Sequence, residues 1–177
     1  MLFYFDDAFR QQSLARFAEL LHEGGLLLCG VDWALSLECR YATYRKRQGI
    51  LAPDEFAFSL DNLAPIGIIA WYTLQPDDRD AAQLASLCRV LRDDRRFMDD
   101  YATCADALRL EYGLCPRQAN GYFADMSPEI APADVWLRSA DLSERIDREL
   151  APRAVQALNA AGYAARVNEV GHVAVRL

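Results

Sequence analysis

Short apolar runs alternate with glycine, proline or acidic punctuation along the chain, the rhythm of an α/β protein. Leu2-Phe3-Tyr4-Phe5 reads as a buried strand ending at Asp6-Asp7, either of which can cap a following helix by accepting bonds from its unpaired amides. From Ala8 to His22, Leu14, Phe17, Ala18 and Leu21 recur at i, i+3, i+4 and i+7 and predict an apolar helical stripe. Arg10, Gln11, Arg16 and Glu19 fall on other faces. Gly24-Gly25 stops the helix, because glycine tolerates positive φ. Leu26-Leu27-Leu28-Cys29-Gly30 follows as an unbroken apolar run, which predicts a strand covered on both faces, as parallel strands are. Tyr41-Ala42-Thr43-Tyr44-Arg45, aromatic and β-branched, predicts a further strand, antiparallel and at an edge.

Beyond it, Gln48-Gly49-Ile50-Leu51-Ala52-Pro53 carries both glycine and proline and suggests a first boundary. Phe56–Leu60 and Gly67–Thr73 flank a turn-like Asp61–Pro65 and predict a strand pair. Asp77-Asp78 opens a helix whose Ala81, Leu84, Ala85, Leu87, Cys88 and Leu91 form a buried face, and a second helix runs from Phe97 to Tyr112 before Gly113. Pro116 to Pro132 reads as a long connection and a second boundary. The remainder predicts a strand at Val135-Trp136-Leu137, a helix from Leu142 to Ala161 kinked or split at Pro152, and, after Gly162, two strands around Gly171. The expected organisation is residues 1–50, 51–132 and 133–177, or one compact domain spanning them.

Composition narrows the class. Hydrophobic residues at 53% and charged residues at 25% describe an ordinary globular chain rather than a disordered or fibrous one. The net charge of -7 argues against a nucleic-acid partner, and the one basic run, Arg45-Lys46-Arg47, reads as a solvated strand end. Five cysteines (Cys29, Cys39, Cys88, Cys104, Cys115) without C-x-x-C spacing, and no signal peptide, point to a reduced, cytoplasmic protein. No apolar run approaches the roughly 18 residues that a membrane helix needs.

The order Leu2-Phe3-Tyr4-Phe5-Asp6, amphipathic helix, Gly24-Gly25, Leu26–Gly30, then Tyr41-Ala42-Thr43-Tyr44-Arg45-Lys46-Arg47 resembles the closing section of CheR-type S-adenosylmethionine-dependent methyltransferases. In that family the strand usually reads Arg-Asn-Val-(Leu/Met)-Ile-Tyr-Phe, and a Val-Tyr-Arg-Lys-like strand closes the domain. The resemblance covers residues 1–47, about a quarter of the chain. It implies the C-terminal part of a doubly wound, Rossmann-like sheet followed by an appended α+β region. Tyr4 matches the family's tyrosine near the methyl group and its acceptor; the bland reading of Tyr4 is a core aromatic. The family's cofactor-contacting asparagine would precede Met1. Where the family commonly has Gly-His-Ser-Glu, this chain has Gly30-Val31-Asp32-Trp33, so Asp32 and Trp33 are expected either to line an altered acceptor site or to form a capped turn with a packed indole.

A methyltransferase of this class holds its nucleoside with a glycine-rich turn after the first strand and an acidic residue after the second. Neither element, nor any G-x-G-x-x-G, occurs in these 177 residues. The expectation is therefore a chain of methyltransferase lineage that binds no S-adenosylmethionine by itself, its start either misplaced within a longer strand, which is preferred, or that of an inactive remnant. The methyltransferase reading implies a protein methyl acceptor as partner, and the alternative from another class is a noncatalytic module whose appended region binds a protein partner or dimerises through an exposed sheet edge.

Other chemistry has little material. With only His22 and His172, a histidine-based metal site or Cys-His dyad is not expected, and His22 reads as a complement to its helix C-terminus. Cys29 and Cys88 fall on faces predicted to be buried, where a thiol is a small hydrophobe. Asp77-Asp78, Asp93-Asp94 and Asp99-Asp100 read as helix caps and solvated faces, and Trp71, Tyr72 and Trp136 as core.

Overall fold

A computed structural model describes residues 7–32, 39–60, 86–87, 89–116 and 133–177. Helix α1 (Asp7–Leu20) leads into β1 (Leu26–Asp32), β2 (Cys39–Arg47) and β3 (Ile50–Phe58); residues 86–87 and 89–93 are helical; α2 (Arg95–Glu111) and α3 (Ala133–Ala160) follow, then β4 (Ala164–Val167) and β5 (Val173–Arg176). The five strands form one sheet in the order β1-β2-β3-β5-β4, antiparallel at every pairing. The class is α/β, and a doubly wound parallel arrangement is not shown among the described residues.

The core lies between one sheet face and the helices. Phe56, Phe58, Val173 and Val175 alternate along β3 and β5 and so project to a single face. Against it α2 sets Phe97, Tyr101, Ala105 and Leu108, at three- and four-residue spacing, and α3 sets Leu142, Ile146, Leu150, Ala154 and Leu158, four residues apart, each a single helical stripe. Leu87 and Leu91 complete the cluster, as the sequence predicts for their helix. Each large apolar side chain removed from water here contributes about 1.5–3 kcal/mol. Asp94 caps α2 by accepting from Phe97 N at 3.0 Å, the role expected of that acidic pair.

Several expectations are corrected. Leu26–Gly30 is not a parallel strand covered on both faces: β1 is antiparallel to β2 and outermost in the described sheet, with Leu26 and Leu28 47% and 60% exposed, and Cys29 is only partly buried. Continuous hydrophobicity marks a strand but says nothing about its neighbours. Conversely β2 is antiparallel as expected but internal, flanked by β1 and β3. Gln48-Gly49 forms a two-residue hairpin turn, both residues at positive φ (53° and 82°), between strands that pair along their whole lengths. The proposed boundary at 48–53 is therefore the interior of a hairpin. Pro53 is tolerated in β3 because it borders a β-bulge that inserts Asp54 opposite the Thr43/Tyr44 step.

Val135-Trp136-Leu137 is not a strand but part of α3, which continues unbroken through Pro152 to Ala160. A three-residue apolar run fits either period, and here the longer helical pattern decides. The helices expected at 8–22 and 97–112 and the hairpin around Gly171 are present with small shifts of boundary, but of the apolar stripe expected on the first only Ala18 is buried, while Phe17 is exposed and Arg10 is buried. The strand expected at 67–73, the opening of the helix at Asp77-Asp78 and the connection at 117–132 lie outside the described residues.

Candidate functional site

The basic run has a structural explanation at one end of the sheet. Arg45 Nε and Nη2 donate to Asp54 Oδ2 at 3.2 and 3.0 Å, and Arg47 Nη2 donates to Asp54 Oδ1 at 2.7 Å. The Arg45 guanidinium beside Asp54 is the main reason that its carboxyl is held below the usual aspartate range; Arg47 and Arg176 add to it, and burial partly opposes it. Arg45 Nη1 also donates to Gly24 O, and Lys46 Nζ to Leu21 O, so the cations pin the α1–β1 turn to the hairpin. Glu23 completes the clasp by accepting from Gln48 N (2.6 Å) and Gly49 N (3.2 Å). Adjacent N–H groups in such a turn form an anion-binding concavity, and here the protein's own carboxylate fills it. Arg45-Lys46-Arg47 is thus a fastening rather than a solvated strand end.

At the opposite end of the sheet Asp147 and His172 meet. Row by row, Val31, Arg40, Phe58, Val173 and Val167 lie in register, and the next positions outward bring Asp32, Cys39, Ser59, His172 and Asn168 to one edge. Asp147 of α3 rises beneath it, 2% exposed, and accepts from Leu60 N at 2.6 Å. His172 Nε2 stands 3.8 Å from Asp147 Oδ2. Burial pushes the His172 imidazole below its ordinary range, with Glu144 opposing, so the neutral ring is favoured. Asn168 holds the β4–β5 turn: its Oδ1 accepts from Val170 N and His172 N, and its Nδ2 donates to Tyr41 Oη at 2.6 Å.

This constellation has the composition of an acid–base pair. The His172 Nδ1 atom is buried and has no hydrogen-bond partner among the described residues. Asp147 ties α3 to the end of β3 through the Leu60 amide, with His172 of the β4–β5 turn beside it. Neither His172 nor Asn168 stood out in the sequence as more than a terminal hairpin; the carboxylate at Asp147, on the inward stripe of a helix otherwise apolar there, is the signal that was available.

Of the residues predicted for a site, Asp32 ends β1 opposite Cys39. Two strands separate it from β5, which at the usual strand spacing is on the order of 14 Å, so Asp32 and His172 share a sheet edge without forming one site. Tyr4 and Trp33 lie outside the described residues, as do Trp71, Tyr72 and Cys88. His22 is exposed just past the end of α1. Cys104 is partly buried, and burial is the main cause that pushes its thiol up, away from nucleophilic character. Among the described residues no group of three or more His, Cys, Asp or Glu side chains is placed to hold a metal ion, and no helix is long and apolar enough to cross a membrane.

No protein-family model, no curated protein and no solved structure matches this chain.

Proposed function

We propose that residues 1–47 are the closing section of a CheR-like, S-adenosylmethionine-dependent methyltransferase domain, C-terminal in its doubly wound sheet, and that 48–177 are appended to it through the β2–β3 hairpin, within the same sheet. The observation that carries this reading is an order of elements. The helix, Gly-Gly stop, apolar strand and Tyr-Arg-Lys strand of the resemblance fall on α1, Gly24-Gly25, β1 and β2 in sequence. In this reading Tyr4 stands near the transferred methyl group, Asp32 and Trp33 border the acceptor, and the acceptor is a protein in the cytoplasm. The glycine-rich turn and ribose-binding acid by which that family holds the cofactor do not occur in these 177 residues. The 177 residues alone therefore bind no S-adenosylmethionine and transfer no methyl group.

The coding DNA upstream of Met1 tests this cheaply. An in-frame extension carrying a glycine-rich strand-turn-helix and ending in Arg-Asn supports the methyltransferase; an in-frame stop immediately upstream contradicts it.

One feature favours a second reading, a noncatalytic module that dimerises through its sheet edge. In the described sheet β1 is outermost, and Leu26 and Leu28 are exposed with no lysine or proline in the strand to discourage pairing. The opposite edge strand, β4, is by contrast bracketed by Asn159, whose amide both donates to Ala165 O and accepts from Ala165 N. Under this reading sedimentation finds a dimer that Leu28→Lys dissociates. A monomer at all accessible concentrations contradicts it.

A further inference from the structure

We draw no further inference here: the strongest candidate, the apolar patch of Phe9, Phe17 and Leu20 along the exposed side of α1, carries nothing because nothing in the structure shows what covers it.

Discussion

Asp147 is the residue on which most depends. Its carboxylate is the sole charged group set into the inward stripe of α3 between Leu142 and Leu158 among the described core positions, and it answers the Leu60 amide directly. Replacing it with alanine leaves that amide buried without its acceptor and removes the neighbour of His172. An unsatisfied buried group costs about 1–3 kcal/mol, so Asp147→Ala is expected to lower the urea midpoint by that equivalent. An unchanged midpoint would mean that the Leu60 amide finds another partner. The pair also sets a pH dependence. Because burial holds the folded His172 pKa below its unfolded value near 6.5, the unfolded chain binds the extra proton first. Stability is then full above the unfolded value and declines as pH falls through the window down to the folded one. Asp54 adds a second decline at lower pH: its folded pKa is depressed, so its contribution is present above about 3.8 and is lost as pH falls through the folded value. Denaturant titrations at stepped pH should show both declines in the wild type. The upper one should vanish in His172→Gln, and a slope that survives there must come from another group.

At the scale of elements, glycine placement explains more than hydrophobicity does. Gly24 adopts φ of 79°, and a Cβ on Gly25 would meet His22 O at 2.8 Å, so the Gly-Gly stop serves both a left-handed turn and a close backbone approach. Gly25→Ala is expected to destabilise by roughly 1–3 kcal/mol, the usual cost of forcing a methyl group against backbone. The urea midpoint measures this, and a wild-type value would show that the turn relaxes freely. The helix-stop signal was legible in the sequence because it is local. The hairpin at Gln48-Gly49 was legible in principle, as two residues able to take positive φ between strand-like runs, but Pro53 argued for a boundary until the bulge at Asp54 gave it a place. Val135-Trp136-Leu137 fits a strand as well as a helix because three apolar residues carry no period, and the exposed Pro152 does not split α3. α2 and α3 share more than core. Arg145 grips Glu111 at 2.7 and 3.2 Å and lies 5.7 Å from the Tyr112 ring centroid, Tyr112 donates to Asp141, and Arg138 donates to Tyr112 O at 2.6 Å.

For the whole molecule, sequence reasoning reached the class and most helices but not the sheet. Strand order depends on partners remote in sequence: β3 and β5 pair across 55–58 and 173–176, a contact that no local pattern announces. The internal position of β2 follows from its pairing with both sequence neighbours, β1 and β3, which leaves β1 outermost in the described sheet. The candidate site was less legible still. Asp32 was singled out through a departure from a family pattern, whereas the buried polar cluster joins α3 to two strand ends more than a hundred residues apart at its extremes, Tyr41 to Asn168.

The measurement that tests the central claim most directly is calorimetric titration of S-adenosylhomocysteine into the 177-residue chain and into the same chain extended by its upstream coding sequence, each first shown to be folded by circular dichroism. The account predicts no heat of binding with the shorter chain and 1:1 binding with the longer. Micromolar 1:1 binding by the 177 residues alone, or a folded extended chain that binds nothing, would contradict it.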